Sequence, residues 1–526
     1  MDTCSVLDVV IVGAGLSGLS ASRELLKHGC QRFVVVEASD RVGGRTFVDA
    51  DGSDLGGAYF GPTQDRVASL VGELGFQFKK TNTSGKTVQL LRGIVSTFNG
   101  TIPPVSFFGL LDINRVIVNG EKLVASIVVE NPADSPNAVQ LDFTSCQQWI
   151  EQTCWTRDGR ALLRCAIVTL LGCEPVQISL LFFLWYCRCS GGLKQLLETE
   201  KGAQDSKLVG GAGQIAQSLA ATICDKLLLN QPIRQVDFSN KDEVITLRGG
   251  NRKTTFGEEK GFELRCKKVI FAVPPLQLLR MEFVAQPLPS MKMYALQHNC
   301  MGHYYKTFMY YSRPFWYEKG LSGFTVSDEG ICLVSVDDSS GCEGCIMGFI
   351  AASMALYWRR KTVEERKTEL CRYYAKCFDS EEALQPLRYK EKLWDDEPWI
   401  GGAPVALPTL GALTLYGRHS EPVEDRIFFA GTEAAKVHVG YMDGAVEAGE
   451  RNARNALVAL GVLPQEYFEK ISRPTQTLLP SEGTLRTTWV EALLPSVPVA
   501  AGAIIGVVVL FFSFFVKNVL LPRKRK

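Results

Sequence analysis

Residues 8–46 read DVVIVGAGLSGLSASRELLKHGCQRFVVVEASDRVGGRT, and the spacing of three glycines and one acid in this stretch decides the fold. The run DVVIV (8–12) is short, apolar and rich in β-branched residues, as a buried parallel strand requires. Residues 16–28 then place Leu16, Leu19, Leu25 and Leu26 at helical spacing, with Gly29 as a C-cap. The run 33–36 is a second strand, ended by Glu37. Gly13, Gly15 and Gly18 form a GxGxxG turn between the first strand and the helix. Gly13 permits the tight turn, Gly15 lets backbone N–H groups approach a pyrophosphate, and Gly18 allows close helix–strand contact. Glu37, 19 positions after Gly18, is placed to accept hydrogen bonds from ribose hydroxyls. Strand, turn, helix, strand and acid in this order predict a dinucleotide-binding unit, a fingerprint that NAD and FAD sites share.

A chain of 526 residues exceeds one compact core and predicts two or more domains. The runs KVIFAV (268–273) and RIFFA (426–430) enter Pro274-Pro275 and Gly431 respectively, and read as further strands of the same sheet separated by long insertions. The stretches 162–184 and 362–378 are mainly helical and build a second domain. Hydrophobic residues are 46% and charged residues 21%, an ordinary globular balance. A net charge of +1 gives nucleic acid no basic surface to meet. The sixteen cysteines are scattered in a chain whose start lacks the features of a signal peptide, and read as buried, reduced thiols. Cys342 and Cys345 have CxxC spacing without a second pair, the histidines (28, 298, 303, 419, 438) are dispersed, and no metal site is expected. Residues 497–516, VPVAAGAIIGVVVLFFSFFV, carry no charge, have the length of a bilayer-spanning helix and are flanked by Lys517 and Arg523–Lys526. A single span there leaves the rest of the chain on one side of a membrane, expected to be the cytosolic side.

The sequence VVVEASDRVGGRT resembles the extended fingerprint of the flavin amine oxidase family, and DLGGAYFGPTQ (54–64) resembles its continuation. FFAGTE (428–433), with GYMDGAVEAGER (440–451), resembles the family's C-terminal flavin-binding block. LFFLWYCRCSGG (181–192), KLVGGAGQ (207–214) and LLPSVP (493–498) bring the likeness nearest to the mitochondrial monoamine oxidases. It extends over 8–495. The resemblance implies an α/β fold: a Rossmann-like FAD-binding domain (6–80, 212–290 and 396–458), an inserted α+β substrate domain (81–211 and 291–395), and a C-terminal region (459–526) bearing the transmembrane helix. It further implies FAD as cofactor, with Arg45 neutralising pyrophosphate and Gly431, Thr432 and Glu433 near the flavin. An amine and oxygen are the implied substrates, a homodimer the implied assembly, and the mitochondrial outer membrane the implied location, with the endoplasmic reticulum as the other candidate.

Within that family, Lys306 in HYYKTFMYY matches the lysine that holds a water beside flavin N5. Tyr441 matches one of two tyrosines flanking the substrate amine, whose ring faces orient it. Tyr59, Gln204 and Trp394 match positions near substrate or flavin, and Leu196, Leu197 and Val334 match positions that gate the pocket. The departure is WIGGAPVAL (399–407). Family members read approximately SGGCY there, the cysteine making a thioether to the flavin and the tyrosine forming the second wall. Here Ala403 and Pro404 take those two places. FAD is therefore expected to be held non-covalently and the substrate cage to keep one of its aromatic walls. The expected reaction is oxidative deamination of an amine by oxygen to aldehyde, ammonia and hydrogen peroxide. The alternatives are a polyamine or amino-acid oxidase of the same fold, and a catalytically impaired flavin-binding membrane protein.

Overall fold

Leu7–Val12 lies between two parallel neighbours: Val9–Val12 pair with Phe33–Val36 on one side and with 268–271 on the other. Flanked by strands at both edges and by helices on its faces, it must be apolar throughout, and Val9, Val10 and Ile11 are fully buried. This computed structural model describes residues 5–100, 103–240, 244–250, 261–285, 288–328 and 330–466. The two later strands expected in this sheet are present. Phe262–Phe271 pairs with Leu7–Val12, and Ile427–Phe429 pairs in parallel with its far edge. Phe262–Phe271 starts earlier than the apolar run KVIFAV because its first half pairs antiparallel with Ile245–Gly249, where its outer face is polar. Ile233–Asp237, Glu282–Val284 and Leu227–Leu228 complete an eight-stranded mixed sheet.

The helix Leu16–Lys27 packs closely on the helix Met442–Ala459. Gly449 is the contact that permits it, since a Cβ there would stand 2.1 Å from the Ser17 carbonyl oxygen. The Ser17 hydroxyl in turn donates to the Ala430 carbonyl, so both helices and the end of the strand Ile427–Phe429 meet at one point.

A second sheet has seven strands in the order Arg388–Leu393, Tyr304–Tyr311, Gly344–Ala351, Val334–Asp337, Leu321–Ser327, Lys86–Leu91 and Ile94–Phe98. Only the pairing of Leu321–Ser327 with Lys86–Leu91 is parallel. Every residue of Tyr304–Tyr311 is buried, because the strand has partners at both edges and is covered on both faces. The helices Phe107–Ala125, Arg157–Leu171 and Leu180–Cys189 enclose a separate apolar core, and Val363–Phe378 packs on another. The architecture is mixed α/β with two mixed sheets. The described cysteines are free thiols, most of them buried.

The described residues belong to one compact unit. Among the described residues no helix is long and apolar enough to cross a membrane, and the span expected at 497–516 lies outside them.

Two glycine substitutions test the helix contact. Gly449→Ala drives a methyl into the Ser17 carbonyl and should destabilise the protein by about 1–3 kcal/mol. Gly72→Ala, where a Cβ meets nothing within 4 Å, should leave the thermal midpoint unchanged or raised.

Candidate active site

Three parallel strands end at one crevice: Val12 leads into Gly13, Val36 into Glu37, and Phe429, after Ala430, into Gly431. Open α/β sheets bind ligands at such carboxyl ends. Gly13 has φ +104°, and a Cβ on it would lie 2.6 Å from the Ala272 carbonyl oxygen; one on Gly18 would lie 1.9 Å from the carbonyl oxygen of Gly13. Gly15 begins the helix Leu16–Lys27 with no side-chain cap. It sits against the second glycine pair, bridging to Gly43, with Gly44 so close that a Cβ there would be 3.3 Å from the Gly15 Cα. The Glu37 carboxylate is buried and accepts from the Ala14 N–H at 2.7 Å and from the Ser39 N–H at 2.9 Å. Met442–Ala459 also starts without a side-chain cap, at Tyr441. Uncapped helix N-termini, glycine turns that admit a ligand to the backbone, and a carboxylate for sugar hydroxyls fit a dinucleotide.

Arg45 ties this crevice to distant parts of the chain. Its guanidinium grips Glu433 through two hydrogen bonds, 2.6 and 3.0 Å, and also donates to the Pro404 carbonyl at 2.9 Å. Glu433 accepts a further bond from the Ala406 N–H at 3.1 Å. Burial by itself would raise the Glu433 carboxyl, but the charge and hydrogen bonds of Arg45 hold it below the usual carboxylate range. Thr432 steadies the next turn, its hydroxyl accepting from Gly440 N–H and donating to the Tyr441 carbonyl, each at 2.9 Å.

Lys306 is buried at 3% exposure, where a lysine is expected at the surface. Its ammonium donates to the carbonyls of Asp54 and Gly56, the latter at 2.9 Å, while the Trp394 indole donates to the Leu55 carbonyl between them at 3.0 Å. Three successive carbonyls of DLGG thus hold the lysine and the tryptophan. Burial, with repulsion from Lys207, pushes the Lys306 ammonium down to about 8, although Asp54 and Asp338 oppose the shift. Lys306, Phe349 and Val334 are in register across three strands, which puts all three on one face. Ala403 and Trp394 share one buried cluster, against which Val334 and Phe349 pack.

Tyr441 stands 5.8 Å from Tyr186, ring centre to ring centre, at 31°. It packs on the core that contains Tyr186, Leu196 and Val405. Leu196 is buried in that core, whereas its neighbour Leu197 is 40% exposed. Tyr59 pairs across strands with Lys207, whose ammonium is 5.7 Å from the Tyr59 ring and 2.6 Å from Asp338. Gln204 is half-buried beside them, its backbone carbonyl accepting from Thr81. Tyr186, Asp54 and Lys207 lie in stretches that carry the resemblance without being marked there as site residues, and Phe349 lies outside them. Tyr186 lies in a helix whose residues are nearly all buried, so no alternation of polarity marks it.

Replacing Glu433 leaves Arg45 without its counter-charge. Glu433→Gln should lower stability at pH 7 by about 3 kcal/mol. The pair stabilises the fold above the unfolded carboxyl's value and is lost as the pH falls through the lowered folded value. The deficit of the variant against wild type in thermal melts should therefore shrink in acid.

The family model described as "Flavin containing amine oxidoreductase" matches residues 16–457. The chain is 36% identical over 502 residues to "Amine oxidase [flavin-containing] A" of Canis lupus familiaris, covering 94% of this chain and 92% of that protein. It is 35% identical over 500 residues to "Amine oxidase [flavin-containing] B" of Homo sapiens, covering 93% of each. Among solved structures it is similar to a wild-type putrescine oxidase bound to putrescine, with TM-score 0.80 and 29% identity, covering 86% of this chain and 99% of that one. A cyclohexylamine oxidase from Brevibacterium oxydans IH-35A gives TM-score 0.80 and 29% identity over 87% of this chain and 100% of that one. With its glycine crevice, buried lysine and family match over most of its length, the chain belongs to the flavin-containing amine oxidoreductases and is an FAD-type amine oxidase.

Proposed function

We propose that this enzyme oxidises small apolar amines with oxygen to aldehyde, ammonia and hydrogen peroxide, and holds its FAD without a covalent bond. The observation that carries the second part is Ala403, buried at 8% exposure in the cluster with Trp394. The thiol in that cluster, Cys165, donates to the Ser327 carbonyl, and burial pushes it up to about 11, so it offers no thiolate. Alanine-to-cysteine variants of the similar putrescine oxidase were made in a structure-based redesign of cofactor binding, which speaks for alanine as a natural occupant of such a site.

In this reading Gly13, Gly15, Gly18 and Arg45 hold the pyrophosphate, Glu37 the ribose, and Trp394, Ala403, Gly431, Thr432 and Glu433 surround the flavin. Bound flavin supplies the oxidant for the two-electron step at the carbon that bears nitrogen. Tyr441 orients the amine by its ring face and strips its hydration. The low-dielectric walls, Leu196, Val334 and Phe349 among them, favour the neutral amine that can be oxidised. Tyr59, Gln204 and Pro404 line the pocket, with Leu197 at its rim. Two of the three N–H groups of Lys306 are taken by the carbonyls of Asp54 and Gly56. The third holds the water that serves oxygen reduction or imine hydrolysis.

The strands of the eight-stranded sheet fall within 6–80, 212–290 and 396–458, and those of the seven-stranded sheet within 81–211 and 291–395, which supports those two domains. The apolar span 497–516 supports a membrane anchor in 459–526, placed in the mitochondrial outer membrane with the catalytic unit facing the cytosol. A homodimer completes the proposal. Deletion of 497–526 should move the protein from the membrane pellet to the supernatant.

Acid precipitation of the purified protein should release its flavin and leave a colourless pellet; a yellow pellet overturns the non-covalent reading. Lys306 is charged below about pH 8 and neutral above it. Reoxidation of the reduced enzyme by oxygen should therefore fall as the pH rises through about 8. Lys306→Met should slow that step about 100-fold and abolish the inflection, which rapid mixing with oxygen would measure.

A further inference from the structure

We infer that Tyr304 is the second tyrosine of the amine-binding wall, its ring set beside the segment where Pro404 has displaced an aromatic side chain and its hydroxyl placed to hydrogen-bond the substrate nitrogen. The inference rests on the amine oxidase reading above and names a specificity-determining residue for it.

The placement follows from the chain. Asn299–Met301 pairs antiparallel with Ala406–Pro408, and the pairing continues irregularly: the Gly302 N–H donates to the Val405 carbonyl at 3.3 Å and the Ala403 N–H to the Gly302 carbonyl at 2.9 Å. The next N–H, of His303, turns away to the Gly172 carbonyl at 2.8 Å. The same segment then becomes the strand Tyr304–Tyr311, so position 304 lies between the altered segment and Lys306. Side chains two apart on a strand share a face, and Tyr304 therefore points to the same side as Lys306. Its ring meets Phe349 edge-on at 5.7 Å, and Phe349 is also the cross-strand partner of Lys306.

Gly172 shows how the ring is accommodated. It ends the helix Arg157–Leu171 with φ +68°, and a Cβ there would be 2.6 Å from Tyr304 Cδ2 and 3.0 Å from the Ala403 carbonyl oxygen. Only glycine leaves room for the ring beside Ala403. Tyr304 is 92% buried, being 8% exposed, yet its hydroxyl has no hydrogen-bond partner among the described residues. The ring is enclosed while the hydroxyl oxygen itself keeps accessible surface, so a ligand can take its hydrogen bond. The phenols of Tyr186 and Tyr441 are near enough to interact electrostatically with it. Three tyrosines thus converge where the family resemblance supplies two.

The test uses the full-length FAD-loaded enzyme, with benzylamine as probe. Tyr304→Phe removes only the hydroxyl. It should raise KM for benzylamine about tenfold, with kcat and flavin content near wild type. Because the hydroxyl has no protein partner, its thermal midpoint should equal or exceed that of wild type, whereas a merely structural tyrosine would lose stability and keep its KM. Tyr304→Leu, which also removes the ring, should raise KM further. A wild-type KM in Tyr304→Phe, or a lowered midpoint with unchanged KM, overturns the assignment while the amine oxidase reading stands. A wild-type flavin that no amine bleaches under anaerobic conditions overturns both.

Discussion

The grip of Arg45 on Glu433 is the constraint on which the site's assembly depends. The two residues are 388 positions apart, and their doubly hydrogen-bonded pair joins the second glycine turn to the end of the strand Ile427–Phe429. The same guanidinium holds the Pro404 carbonyl and the same carboxylate holds the Ala406 N–H, so the segment that departs from the family pattern is fastened from both sides. Bidentate arginine–carboxylate contacts fix direction as well as distance. A buried pair of this kind adds little net stability over apolar packing, and what it adds is specificity of arrangement. Here three segments far apart in sequence are set in one geometry around the crevice.

A similar economy governs the second sheet's contribution. Lys306 and Trp394 are held by three successive carbonyls of a single turn, residues 54–56, which belongs to the stretch following the glycine fingerprint. The sheet bearing the lysine is thereby docked to the sheet bearing the glycines through hydrogen bonds to main chain, which side-chain changes at 54–56 disturb little. A lysine so deeply buried is unfavourable in its charged form, which is why its ammonium is pushed down to about 8. Strongly shifted groups of this kind cluster at functional sites, and the proposed role of Lys306 rests on that placement.

The segment at 403–404 departs from the resemblance in its side chains, while its main chain is fastened into the surrounding frame. Ala403 and Pro404 make main-chain contacts to Gly302 and Arg45 and carry neither a thiol nor a phenol. Tyr304 lies in the same cluster as Ala403 and Trp394, seated against Gly172.

Local chemistry made the nucleotide end legible. Gly13 and Gly18 stand where no Cβ fits, Glu37 ends a strand, and the strands Leu7–Val12 and Phe33–Val36 are apolar because helices and strands enclose them. Such requirements are met by residues adjacent in the chain, so spacing alone reveals them, and the alanine at 403 was likewise visible as one letter. The substrate end was not legible by the same means. Lys306 looks like a surface residue until its strand is seen to be covered on both faces. Leu196 and Leu197 look alike until one faces the core and the other solvent. Tyr186 and Tyr304 are anonymous among buried aromatics until the turn at Gly172 and the helix Leu180–Cys189 bring them to Tyr441. The sequence by itself determined the cofactor class and the absence of a thiol at 403, because these depend on steric and chemical identity at single positions. Only the tertiary structure decided which side chains gather around Lys306 and Tyr441, because that depends on contacts between segments far apart in the chain.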